Sequence, residues 1–106
     1  MKRLPFHLDV LVETEEGNCV AYCLQLDIVA TGATEETAVS DLLDLIRAQF
    51  DFAIQNDNLE NFLKPAPPEV WARLLRHYSE DKPNCHRRPV LETKDRLQYE
   101  PTVCYG

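Results

Sequence analysis

The chain has 106 residues, 44% hydrophobic and 27% charged, a balance that supports one hydrophobic core and excludes a disordered polymer. Its formal charge of −7 is unevenly divided: residues 1–63 carry 12 acids against 3 bases, and residues 64–106 carry 6 acids against 8 bases. An acidic body repels phosphate backbones, which argues against direct binding of nucleic acid, and no apolar run approaches the roughly 20 residues of a membrane-spanning helix.

The opening Met1-Lys2-Arg3-Leu4-Pro5-Phe6-His7 passes into a strand pattern without the apolar core of a signal peptide, so a cytoplasmic setting is expected. In that setting Cys19, Cys23, Cys85 and Cys104 are expected as reduced thiols, since their spacing is not that of a disulfide scaffold. Phe6, Leu8, Val10 and Val12 alternate with His7, Asp9, Leu11 and Glu13, which predicts a strand over 6–13 with one buried face. Glycine beside asparagine at Gly17-Asn18 predicts a hairpin turn.

A second strand is predicted over 19–24, with Val20, Tyr22 and Leu24 on one face and the small Cys19, Ala21 and Cys23 on the other, where something packs closely. The β-branched pair Ile28-Val29 begins a short third strand that ends at Gly32. Thr34 followed by Glu35 and Glu36 is a helix start, because the hydroxyl caps free amides and first-turn acids complement the helix dipole. The helix is predicted over 35–56, with Val39, Leu42, Leu43, Ile46, Phe50, Ala53 and Ile54 in one stripe that packs on the sheet.

Ala38, Leu45 and Phe52 lie seven apart on a second, narrower apolar line. Either the C-terminal segment folds back over that line, or it is a subunit or partner contact. Leu63 to Pro68 ends the helical region, because prolines lack the amide donor and disfavour helical geometry before them. A short amphipathic helix follows over 69–78, built on Val70, Trp71, Leu74, Leu75 and Tyr78. From Ser79 the chain reads as a polar tail, ordered on docking, with a weak strand-like stretch near Arg96 to Tyr105.

Few residues are arranged for chemistry. His7 and Asp9 share a strand face and could act as base and orienter, but no nucleophile accompanies them, and a surface histidine is the plainer reading. Cys19 and Cys23 stand roughly 13 Å apart along a strand, too far for a joint metal site, and Cys85-His86 lacks a second ligand pair. Asp41, Asp44, Asp51 and Asp57 read as a solvated acidic helix face rather than a divalent-metal site. Phosphate loops, nucleophile elbows and zinc-protease patterns are all missing from the sequence, so neither catalysis nor a cofactor is expected.

The passage Asn18 to Ala38 resembles the N-terminal domain of the HicB-like antitoxin family. The residues that carry it are Val20-Ala21-Tyr22-Cys23, then Gly32, Thr34, Glu35, Glu36 and Ala38; Leu24 and Ala33 stand where that family often has proline and an acid. The similarity covers residues 6–56 and implies a β-β-β-α core, usually completed by another strand, that masks a small basic RNA-cleaving toxin of the HicA type. The DNA-binding region with which such antitoxins generally end is not evident after residue 64.

The expected architecture is therefore α+β: a three-stranded antiparallel meander followed by one long amphipathic helix packed on it, then a short C-terminal helix and tail. Residues 1–63 form the HicB-like domain and residues 64–106 a proline-bounded appendage. The expected function is binding, with a homo-oligomer and a small basic toxin as partners. Glu35, Glu36, Ala38, Asp41, Leu45 and Phe52 are the candidate contact residues. The alternative is a stand-alone structural or adaptor domain that only self-associates.

Overall fold

β1 (Phe6–Glu15) and β2 (Asn18–Cys23) form an antiparallel hairpin closed by Glu16 and Gly17. Both loop residues have positive φ, 50° and 82°, the twist that a two-residue hairpin loop requires. The positive angles thus fall on Glu16-Gly17, and Asn18 belongs to the strand. β3 (Ile28–Gly32) adds antiparallel to β2. α1 (Glu35–Gln55) follows after Thr34, whose Oγ1 accepts the Thr37 amide at 3.1 Å. This computed structural model describes residues 6–58, 63–79, 84–92 and 98–106; the polar stretch around Leu59 and the start of the strand-like stretch at Arg96 lie outside them.

The remaining elements are α2 (Pro68–Tyr78), β4 (Cys85–Arg87), β5 (Leu91–Glu92) and β6 (Gln98–Tyr105). They overturn the expectation of a three-stranded meander carrying one long helix, with only a short helix and a polar tail after it. Among the described residues the sheet is mixed and six-stranded, in the order β3-β2-β1-β6-β4, with β5 also on β6, and two helices pack on it. β6 runs parallel to β1, from Phe6 opposite Tyr99 to Val12 opposite Tyr105, so the supposed tail supplies a central strand.

Pro101 sits within that strand, a position from which proline is normally barred. Its carbonyl accepts the Arg88 amide at 2.7 Å on the outer side, away from β1. A strand residue points its nitrogen and its carbonyl to the same side, so the missing N–H also falls outside the β1 ladder. There the outer strand breaks between β4 and β5.

Both faces of β1 are covered, which explains why Leu8, Asp9, Val10, Leu11 and Val12 are all buried rather than alternating. On one face Leu8, Val10, Val12, Ala21, Tyr99 and Val103 meet Val39, Leu42, Ile46 and Phe50 of α1. The small Cys19, Ala21 and Cys23 let the helix come close. Gly32 does the same at the helix start, where a β-carbon would lie 2.7 Å from the Ala38 nitrogen. On the other face Leu11, Leu24 and Cys104 meet Ala66, Val70 and Leu74, with Trp71 alongside donating from Nε1 to the Ala66 carbonyl.

The expectation of four reduced cysteines is also overturned, since Cys85 and Cys104 are joined by a disulfide. They face each other across β4 and β6 with Cα atoms 4.0 Å apart. The adjacent bond from Tyr105 N–H to the Asn84 carbonyl marks them as a close, non-hydrogen-bonded pair. Cys19 and Cys23 are free and buried, and burial pushes the Cys23 thiol up to about 12. No helix among the described residues is long and apolar enough to cross a membrane.

Candidate functional site

α1 carries five acids and one base, and Glu35, Glu36, Asp41 and Asp44 all reach solvent. Glu35 and Glu36 occupy the first helical turn, where they also serve the helix by complementing its positive end. The first-turn acids therefore have a local structural role, while Asp41 and Asp44 leave negative charge on the outside of the helix.

The expected apolar line does not stay on one surface. Ala38 is fully buried, Leu45 is 37% exposed and Phe52 is 65% exposed. A straight helix drifts about 20° per seven residues, so positions seven apart rotate progressively out of the core contact. Ala38 is thus a packing residue against β3, and only Leu45 and Phe52 form an open strip. Among the described residues the C-terminal segment does not fold back over them, since α2 packs on the opposite face of the sheet.

A cleft of about 200 Å³ lies on the other flank of α1, between that helix and β5–β6. Its lining includes Leu43, Asp44 and Arg47 from α1 with Leu91, Glu92 and the buried Tyr99. Burial raises the Tyr99 hydroxyl above its ordinary pKa, and Arg47 partly opposes that effect.

A polar cluster missed by the sequence surrounds Asp9, the one buried charged residue among those described. Gln25 accepts from the Asp9 backbone N–H at 2.7 Å and donates from Nε2 to Asp9 Oδ2 at 2.7 Å. The Tyr78 hydroxyl donates to Oδ1 at 3.1 Å, and His7 Nε2 lies 3.0 Å from the same oxygen. The His7–Asp9 pair was visible as two residues on one strand face. Gln25 and Tyr78 could not be placed beside it, being 16 and 69 residues away in sequence.

Burial, then the charge and hydrogen bond of Asp9, raise the Tyr78 pKa. Asp9 thereby ties β1, the β2–β3 turn and the end of α2 together. That is the work of a structural tie, and among the described residues the cluster hydrogen-bonds no cysteine, serine or second carboxylate to His7. No group of three or more potential metal ligands occurs among the described residues. In comparisons with known proteins, no family model, no curated protein and no solved structure matches the chain.

Proposed function

We propose that the protein is an antitoxin-type binding protein, without a catalytic role, that receives a small basic protein on the exposed acids of α1. The observation that carries this reading is that Glu35, Glu36 and Asp41 stand exposed on a helix with five acids and one base. Complementary charge steers such a partner and fixes its orientation. The resemblance of residues 18–38 to HicB-like antitoxins supplies the kind of partner, a HicA-type RNA-cleaving toxin. The acids of α1 repel a phosphate backbone, which argues against direct contact with nucleic acid.

The test is affinity purification from the native cells at moderate salt, beside a growth-rescue assay with a HicA-type toxin. A small basic protein recovered in fixed proportion, and lost with E35K/E36K/D41K, supports the proposal. Recovery unaffected by those substitutions, or no basic partner and no rescue, refutes it.

The open strip favours a second reading, a domain that serves by self-association alone. Phe52, at 65% exposure, and Leu45, at 37%, lie one above the other on α1 and leave an apolar strip that a second copy could cover. Purification that returns only the chain itself favours this reading.

A further inference from the structure

The cleft between α1 and β5–β6 holds a polar group that the fold does not employ. Tyr99 is 1% exposed, with its ring centroid 5.4 Å from that of Phe50. A buried phenol ordinarily finds a hydrogen-bond partner, yet among the described residues no hydrogen bond reaches the Tyr99 hydroxyl. Nor is its oxygen sealed from solvent: among those residues only His77 Nδ1 is both enclosed and without a partner. The hydroxyl therefore opens into the cleft that Tyr99 lines.

The walls around it carry both signs of charge. Burial is the main cause of the raised Tyr99 pKa; behind it Arg47 lowers the value, and Asp51 and Asp44 raise it, so opposite charges lie near the oxygen. Asp44 and Arg47 stand one helical turn apart on α1, where side chains are neighbours. Among the described residues neither of them, nor Glu92 on the β5 side, belongs to an ion pair. Leu43 and Leu91, both half-buried, add apolar walls.

We propose that the cleft binds a free basic amino acid of the lysine type. Its carboxylate would sit on Arg47 and the Tyr99 hydroxyl, its α-ammonium on Asp44, its carbon chain along Leu43 and Leu91, and its terminal ammonium on Glu92. A guanidinium and a phenol are donors suited to a carboxylate, and charge-assisted bonds of this kind are the strong ones. The side-by-side acid and base on α1 repeat, with opposite signs, the adjoining carboxylate and ammonium of an amino acid. One base and two acids leave the lining at −1, the complement of a ligand at +1 rather than of a neutral or acidic amino acid. The cleft, about 200 Å³, matches the volume of about seven waters, which is room for a molecule of about ten non-hydrogen atoms. Such a site is independent of a basic protein on Glu35, Glu36 and Asp41.

Titration of L-lysine into the isotope-labelled full chain, followed by NMR, tests the site. The amide resonances of Leu43, Asp44, Arg47, Leu91, Glu92 and Tyr99 are expected to move together and saturate, with a Kd in the millimolar range or tighter. Tyr99→Phe removes a single oxygen, and Arg47→Gln changes an exposed side chain. Each is expected to weaken binding by on the order of tenfold, with the resonances remote from the cleft unmoved. Cadaverine, which lacks the carboxylate, and L-norleucine, which lacks the terminal ammonium, should each bind about tenfold or more weakly than lysine. Shifts that spread over the acidic surface without saturating, an affinity unchanged in both variants, or cadaverine or norleucine equal to lysine overturns the proposal. None of these results bears on E35K/E36K/D41K, so the basic-partner reading fails or stands separately.

Discussion

Asp9 shows how much a single side chain can hold. Its carboxylate accepts from Gln25 and Tyr78, and its backbone N–H donates back to Gln25, so three separate elements close on one residue. Asp9→Ala leaves the Gln25 amide and the Tyr78 hydroxyl without their acceptor, and a loss of about 1–3 kcal/mol is expected. Urea unfolding would show it as a lower midpoint with the same slope, and Asp9→Asn, which keeps one acceptor oxygen, should lose less. A change confined to a few tenths would mean that solvent replaces the cluster. Tyr22 offers a pH-dependent counterpart, since its hydrogen bond to Asp27, with desolvation second, pushes the phenol from 10.0 up to about 12. The folded protein then holds this proton more tightly than the unfolded chain. The resulting stability is complete below about pH 10 and is lost as pH rises through about 12. Difference absorbance titration should return one tyrosine towards 10 in Asp27→Ala; an identical titration would dissociate Asp27 from the shift.

At the scale of the element, rotation about the α1 axis separates packing from exposure. Phe50 is fully buried between Phe6 and Tyr99, while Phe52, two residues on, is 65% exposed. Phe50→Ala is expected to cost about 3–5 kcal/mol. Phe52→Ala should cost within about 0.5 kcal/mol in the monomer and act on association instead. Thermal melts of dilute protein compare the two, and equal losses would contradict the observed helix rotation. β1, β2, β3 and α1 were legible because each announces itself locally, through alternation, a glycine turn, a threonine cap or a helical stripe. The Cys85–Cys104 bond was not, because it depends on the register of β4 against β6, and a compartment argument contains no register. In oxidised, purified protein no thiol should react before unfolding, and two should react after unfolding without reductant, from the buried Cys19 and Cys23. Four thiols after unfolding would mean that the bond is absent.

Across the whole molecule, the sheet is joined by contacts remote in sequence. β6 was legible only as a weak strand-like stretch, because Pro101 interrupts it and its hydrophobic side, Tyr99, Pro101 and Val103, is interleaved with polar residues that look like tail. Its partner, β1, lies at the other end of the chain, and pairing between such distant strands leaves no local signature. For the same reason β1 read as a strand with one buried face, since nothing in residues 6–13 says that α2 will cover Asp9 and Leu11. Residues 64–106 thus supply the strand beside β1 and the helix over Leu11 and Leu24, which makes the boundary at residue 63 a test of cooperativity. A fragment of residues 1–63 would expose one edge of β1 along its length and the whole second face of the hairpin. It should retain helical circular dichroism from α1 but melt without a cooperative transition. Mixing it with residues 64–106 should restore that transition, because β6 and α2 refill the vacated edge and face. A sharp melt of 1–63 alone, unchanged by the second fragment, would show that the first half is a domain by itself and that α2 and β6 are attached to a core already complete.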